Sequence, residues 1–237
     1  MTVMTSESPL ARMVAETPTD YWNDSCAIEE LDYAVERGAT GATSNPVIVG
    51  EAVDRGLRRF EAAGGDTSRF SPVCSLMIGR LDDWVKTLVE RDSIALDPGA
   101  ANWAGLAVFK RAYGLYQERG YRTRLLAAAY RHRLHWTELV GGDVVLTMPH
   151  SWQVRFNGSG IDPVARIDEP VDPALVDELL LRVPDFVCAY EPDGLTPPEF
   201  ASFGATVRTL RGFVAGYHDL QAAIRDVLLP NPDVRGV

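Results

Sequence analysis

The sequence predicts an α/β fold in which helices cover a parallel β-sheet. Short apolar runs of strand length alternate with segments whose apolar residues recur every three or four positions. Five such runs occur, and the spacing between them leaves room for crossover helices. From about Asp172 onward the pattern is wholly helical. This alternation is typical of right-handed β/α units, and it excludes a β-sandwich and a helix bundle.

Two β/α units are predicted in the first part of the chain. Residues 20–24 form a short aromatic run, and the helical pattern that follows ends at Gly38. Residues 39–46 are small and compatible with a strand. The apolar positions of 51–63 share one helix face, and Gly64 ends that pattern.

Three more strands are predicted, at 73–79, 125–130 and 144–149. The first is an apolar run of the kind found in strands buried on both faces. One helix follows it, and a second begins after the turn at Asp97 and ends at Gly120. Another helix separates the last two strands, with Trp136, Leu139 and Val140 as its apolar residues.

The chain is expected to form one domain, because its 237 residues suffice for a single large core. Residues 1–19 are interpreted as a polar leader and residues 20–170 as the β/α units. Residues 171–229 are the C-terminal helices, and residues 230–237 are a tail. Asp172 with Pro173, and a capping box from Thr196 to Glu199, each predict the start of a helix.

Composition limits the possible partners. A formal net charge of -10 argues against nucleic acid, because phosphate backbones are bound by basic faces. No segment has the roughly 20 apolar residues that span a bilayer, so we expect a cytoplasmic protein with no membrane partner. Cys26, Cys74 and Cys188 have no pattern typical of disulfides or structural zinc.

Several motifs resemble the transaldolases, which are class I aldolase-type (β/α)8 barrels. The run from Ser75 to Trp84 is similar in order and spacing to that family, as are Asp97-Pro98-Gly99, residues 116–121 and residues 128–131. Asp24 and the run 43–46 resemble the family's first two strands. The resemblance covers nearly the whole chain from Tyr21 to about Leu229, and it implies units derived from a TIM barrel.

The resemblance also implies a set of site residues. Arg80 and Arg131 match the arginines that grip the substrate phosphate, which suits the planar fork of guanidinium donors. Ser75 matches a serine that faces the substrate. Asp24 matches the aspartate that transfers protons or orients a hydroxyl group, and Asn45 matches the amide that binds the sugar.

Each of the three smaller residues also has a purely structural interpretation. Asp24 could cap a helix, and Asn45 before Pro46 could belong to a turn. Ser75 could satisfy a buried backbone group. Because these residues occur together and in the family's order, the functional interpretation is favoured.

The main departure from the family lies between Pro46 and Ser71. About 100 residues, three β/α units of an eight-unit barrel, are expected there, whereas this chain has one helical segment. We interpret this as an internal deletion of strands 3 to 5, which takes with it the family's Schiff-base lysine on strand 4. The five remaining strands are expected in the order 2-1-8-7-6, as an incomplete or rearranged barrel with two open edges. Those edges predict a homo-oligomer.

No lysine takes the place of the missing nucleophile. The only lysines are Lys86 and Lys110, and both fall on predicted outer helices, whereas active sites of this fold lie at the strand ends. His132 and His135 lie three positions apart, but no third ligand is evident, so neither a metal nor an organic cofactor is expected.

Three hypotheses follow from the resemblance. In the first, the chain transfers a dihydroxyacetone unit between phosphosugars in the pentose phosphate pathway, by the family's Schiff-base reaction. The missing lysine strand argues against that activity. In the second, the chain is a non-catalytic protein that binds a phosphosugar or another partner. In the third, it is an inactive product of a deleted gene.

Overall fold

The strands in the described part of the chain form one parallel sheet. The computed structural model describes residues 8–24, 28–42, 73–120 and 124–229. The strands are β1 (Asp20–Asn23), β2 (Gly41–Ala42), β3 (Val73–Leu76), β4 (Arg124–Ala127) and β5 (Val144–Met148). Their order is β2-β1-β5-β4-β3, and all neighbours are parallel.

This order confirms the arc expected from the sequence. β2 and β1 lie side by side as expected for strands 2 and 1, and β5, β4 and β3 follow in the places expected for strands 8, 7 and 6. The α/β fold is therefore consistent with part of a TIM-barrel-like aldolase fold. Residues 43–72, where the deletion and the helix at 51–63 are predicted, lie outside the described residues.

Helices surround the sheet and continue beyond it. They are α1 (Pro9–Glu16), α2 (Ile28–Val35), α3 (Ile78–Arg91), α4 (Ala104–Glu118), α5 (Leu134–Thr137), α6 (His150–Asn157), α7 (Pro173–Arg182), α8 (Pro184–Tyr190) and α9 (Gly204–Leu228). Two 3₁₀ helices span Ala100–Asn102 and Pro197–Ala201. None of the helices in the described ranges is long and apolar enough to cross a membrane.

Local sequence signals explain several helix ends. The Asp172 carboxylate accepts a hydrogen bond from the Ala174 amide at 2.9 Å and caps α7. Gly38 and Gly120 have φ values of 88° and 63°, which are accessible to glycine, and each follows the end of a helix. The predicted capping box at Thr196 is present, but it opens a 3₁₀ helix, and the long helix α9 begins only at Gly204.

Three predicted element boundaries are wrong. The strand expected at 73–79 ends at Leu76, because α3 begins at Ile78. The strand expected at 125–130 ends at Ala127, since Ala129 has a φ of 66° and leaves the extended conformation. The helix carrying Trp136 covers only 134–137, and the chain then turns before β5.

The expectation that β3 is buried on both faces is also wrong. Cys74 and Ser75 are exposed, and in the described part of the chain β3 pairs only with β4. Within the segment interpreted as a leader, α1 packs into the core, with Leu10 and Met13 fully buried. The predicted tail, 230–237, lies outside the described residues.

Two hydrophobic clusters hold these elements together. The first surrounds the sheet and includes Tyr21, Phe109 and Phe156, all with no exposed surface. The second joins α3 and α4 to the C-terminal helices through residues such as Val85 and Phe186. The first turns of α3 therefore lie between the sheet and the C-terminal helices, where the candidate site is found.

Candidate functional site

The predicted site residues are expected at the carboxyl edge of the sheet. Because all five strands are parallel, the residues that follow them emerge at the same edge. Asp24 comes directly after β1, and its amide donates to the carbonyl of Met148 at the end of β5, at 3.0 Å. Asp24 is half-buried there.

The loop that follows β4 carries Arg131 and approaches α3 closely. The Ala128 amide donates to the Leu76 carbonyl at 3.0 Å, so the end of β4 is attached to the end of β3. A Cβ atom on Gly79 would lie 1.8 Å from the carbonyl oxygen of Ala129. Only glycine fits at this position, because the obstructing atom belongs to the backbone.

Arg131 forms a bidentate ion pair with Asp83 of α3. Its Nε atom lies 3.0 Å from both carboxylate oxygens, and its Nη2 atom lies 2.7 Å from Oδ2. The Nη1 atom donates to the carbonyls of Ala129 at 3.2 Å and Tyr130 at 2.9 Å. The predicted phosphate-binding guanidinium is thus bound by groups of the protein itself.

A second carboxylate, that of Asp82, binds the histidines that follow Arg131. Asp82 is fully buried, and its Oδ2 accepts hydrogen bonds from the Nε2 atoms of His132 at 3.0 Å and His135 at 2.8 Å. Its Oδ1 accepts from the amide of Gly105 at 2.8 Å. Burial alone would raise the pKa of Asp82, but the hydrogen bonds from the two histidines lower it to about 2.

The hydrogen bonds of His135 determine its tautomer. Its Nδ1 atom accepts a hydrogen bond from the Arg131 amide at 3.1 Å, so the proton of the neutral ring is on Nε2, facing Asp82. Burial lowers the pKa of His135, and the ring therefore stays neutral. Through His135, Asp82 positions the backbone of Arg131.

Asp82, His132 and His135 form a possible metal-ligand set, since one ligand atom of each lies within 4.8 Å of the others. The tautomer argues against this use. A histidine that binds a metal through Nε2 normally donates a proton from Nδ1, whereas Nδ1 of His135 is an acceptor. The Nε2 atom of His135 therefore carries the proton that it donates to Asp82, and it has no lone pair available for a metal.

Arg80 lies in a different environment from Arg131. It stands in the first turn of α3 and lines a cavity between α3, α4 and the C-terminal helices. Its Nε atom is buried and has no hydrogen-bond partner among the residues that the structure describes. Arg131 does not line this cavity, so the structure places the two arginines on neighbouring backbone segments but in separate surroundings.

The other predicted site residues are less informative. Ser75 lies on β3, where it is exposed, and it pairs in register with Leu126 of β4. Asn45 lies outside the described residues. Tyr130, which was not a predicted site residue, is buried, and its hydroxyl group has no hydrogen-bond partner in the described ranges. Burial, and then the charge of Asp24, raises the pKa of Tyr130 well above its ordinary value, so its phenol remains protonated.

Both lysines lie away from the carboxyl edge. Lys86 is exposed on α3. Lys110 lies on α4, and its Nζ atom contacts three oxygens: the carbonyls of Arg166 at 2.9 Å and Glu169 at 2.8 Å, and the carboxylate of Glu138 at 3.3 Å. Burial lowers the pKa of Lys110, against the opposing effect of Glu138. This ammonium group has a structural role, since it attaches the loop before α7 to α4.

A family model matches the part of the chain that contains β3, β4 and β5. The model is that of transaldolase/fructose-6-phosphate aldolase, and it matches residues 59–171. This segment belongs to the transaldolase/fructose-6-phosphate aldolase family. It includes Ser75, Arg80 and Arg131, whereas Asp24 and Asn45 precede it. Membership supports a transaldolase-like or aldolase-like function on sugar phosphates.

The partners of Arg131 cannot be recognised from the sequence. Asp82 and Asp83 stand inside the transaldolase-like motif that identified Arg80, but nothing local indicates that they bind the loop after β4. The spacing of His132 and His135 was a usable signal. Its meaning became clear only with the third member, Asp82, which lies on another β/α unit.

Proposed function

We propose that the chain binds a phosphorylated sugar at the carboxyl edge of its sheet and does not form the Schiff base of its family. The observation that carries this proposal is the placement of the lysines. The chain has only Lys86 and Lys110, and neither stands at the end of a strand. An imine requires an accessible, unprotonated amine, whereas the Lys110 ammonium group donates to carbonyl and carboxylate oxygens.

The binding half of the site supports the rest of the proposal. Asp24, Ser75 and Arg131 come from three different strands or from the residues that follow them, at one edge of the sheet. In this proposal Arg131 binds the phosphate and Asp24 binds or orients a sugar hydroxyl group. Phosphate must compete with Asp83 for the guanidinium of Arg131, which favours a modest affinity.

Borohydride trapping with fructose 6-phosphate tests the absence of the imine. We expect intact-mass spectrometry to find no reduced adduct on the purified chain. An adduct that peptide mapping places on Lys86 or Lys110 would overturn the proposal and restore the family reaction, transfer of a dihydroxyacetone unit in the pentose phosphate pathway.

Calorimetric titration with the same sugar phosphate tests the binding. We expect saturable binding that Arg131→Ala abolishes and that Arg133→Ala leaves unchanged, since Arg133 is an exposed arginine of the same loop. Absence of both adduct and binding would favour the other alternative, an inactive product of an internally deleted gene.

The remaining expectations on partners and location rest on composition and on the shape of the sheet. We propose a cytoplasmic protein without nucleic-acid partners, and a homo-oligomer formed through the ends of the sheet at β2 and β3. Size-exclusion chromatography with light scattering tests the oligomer. A well-folded monomer at all concentrations would contradict it.

A further inference from the structure

A cavity of about 640 Å³ lies between the end of β3, helices α3 and α4, and the C-terminal helices. Its size is that of a small-molecule site. Most of its lining is apolar, and three phenylalanines contribute to it: Phe200, Phe203 and Phe213. Apolar side chains remain exposed around it, including Phe200 at 49% and Leu210 at 54%. This surface is unfavourable in water, and a ligand would cover it.

Two arginines bring positive charge to this apolar cavity. Arg80 lines it from α3 and Arg111 lines it from α4, and Glu191 is the one acidic residue among the described lining residues. Neither forms an ion pair in the part of the chain that the structure describes, although the chain has ten more acidic residues than basic ones, 33 against 23. Arg111 lies over the ring of Tyr190, with its Cζ atom 5.8 Å from the ring centroid.

Arg80 and Arg111 differ from other arginines of the same region, which form ion pairs. Arg131 is paired with Asp83 and Arg124 with Asp20, each at 2.7 Å. The buried Nε atom of Arg80 has no hydrogen-bond acceptor among the described residues. A buried donor without an acceptor is unfavourable, and a bound anion would supply one.

From this arrangement we propose that the cavity binds a small organic anion, a phosphate monoester or a carboxylic acid whose remaining part is aromatic or alkyl. The guanidinium groups of Arg80 and Arg111 bind the anionic group, and the phenylalanines contact the apolar part. The ligand differs from a free sugar phosphate, whose hydroxyl groups would lose water against the apolar lining. The resemblance to transaldolases assigns Arg80 to the substrate phosphate, whereas it assigns no role to Arg111.

The test uses phenyl phosphate as the probe and isothermal titration calorimetry on the full chain. Benzyl alcohol is the uncharged control and inorganic phosphate is the control without an apolar part. We expect phenyl phosphate to bind at least tenfold more tightly than either control. Equal binding of benzyl alcohol, or no binding of phenyl phosphate, overturns the proposal.

Substitutions separate this cavity from the sugar-phosphate site. Arg111→Met is expected to weaken phenyl phosphate binding at least fivefold, whereas Arg155→Met, an exposed arginine on α6, should not change it. Arg131→Ala should leave phenyl phosphate binding intact even if it abolishes fructose 6-phosphate binding. Failure of the sugar-phosphate proposal is therefore distinguishable from failure of this one.

Two substitutions of opposite charge at Leu210 provide a test that leaves the arginines unchanged. This residue lines the cavity and is 54% exposed, so polar substitutions are tolerated by the fold. Leu210→Asp is expected to weaken phenyl phosphate binding, and Leu210→Lys to strengthen it. An identical affinity in the two variants means that the probe does not bind in this cavity, and it overturns the proposal.

Discussion

Arg131 and Asp83 form a bidentate ion pair that joins the loop after β4 to helix α3. Both carboxylate oxygens are within 3.0 Å of guanidinium nitrogens. The side chains are about one-third exposed, 33% for Arg131 and 28% for Asp83, so water moderates the interaction. The pair therefore holds an arginine of the predicted site in place while cancelling its charge.

Asp83→Asn is expected to raise the affinity for fructose 6-phosphate. Removing the competing charge leaves Arg131 free to bind phosphate, and after screening the gain is about 1 kcal/mol, or roughly fivefold. Titration calorimetry of the variant and the wild type measures it. Asp92→Asn, which removes the carboxylate of the exposed pair with Arg91, is the matched control. A weaker affinity in Asp83→Asn would mean that the pair is needed to position Arg131.

Asp82→Ala is expected to destabilise the protein by about 3–5 kcal/mol, because it removes the acceptor of three hydrogen bonds inside the fold. The amide of Gly105 and the Nε2–H group of His135 would be left buried without an acceptor. Urea unfolding followed by circular dichroism gives the free energy. Asp92→Ala should change it by less than about 0.5 kcal/mol, since Asp92 is exposed. Equal effects would show that the buried network contributes no stability.

The strand order could be predicted from the sequence, whereas this network could not. Order in a parallel sheet follows from the family resemblance and from the alternation of strands and helices. The Arg131–Asp83 pair joins residues 48 positions apart, on two different β/α units. It also depends on the turn at Ala129, whose φ of 66° is unusual for alanine and has no sequence signal.

Helix α1 has a helix-start signal within the segment that the sequence predicts to be a polar leader. Ser8 before Pro9 is a typical helix start, and the Ser8 hydroxyl accepts from the Ala11 amide at 3.1 Å. Leu10 and Met13 are three positions apart on the buried face. The polar composition of the surrounding segment outweighed this short pattern, since eight residues provide little periodicity.

The stability of the protein is expected to fall between pH 7 and pH 5 through His135. Burial lowers the pKa of His135 in the folded state, so the unfolded chain takes up a proton first, below a pH of about 6.5. The free energy of unfolding therefore has its full value above that pH and decreases as the pH falls below it. Asp82 and His132 contact the ring of His135, and the Arg131 amide donates to its Nδ1 atom. Protonation would place an N–H group on Nδ1 directly opposite the N–H group of Arg131.

Urea unfolding at several pH values measures this effect. The expected loss is at most about 2 kcal/mol between pH 6.5 and pH 5, since each pH unit contributes at most about 1.4 kcal/mol. His135→Gln should flatten the dependence, and His218→Gln, an exposed histidine on α9, should preserve it. If His135→Gln keeps the slope of the wild type, His135 does not cause the dependence.

Gly79→Ala is expected to destabilise the protein by about 2–3 kcal/mol, as overpacking against a rigid neighbour does. The added Cβ would lie 1.8 Å from the Ala129 carbonyl oxygen and 2.9 Å from Cγ of Arg131. The loop must move away from α3, which also separates Arg131 from Asp83. Fructose 6-phosphate binding should therefore weaken together with the unfolding free energy. Gly114→Ala is the matched control, because this glycine lies within α4 and a Cβ there would meet no atom within 4 Å. That variant should gain about 0.5–1 kcal/mol from helix propensity and should bind as the wild type does. Equal stability of the two alanine variants would show that the loop carrying Arg131 does not depend on its close contact with α3.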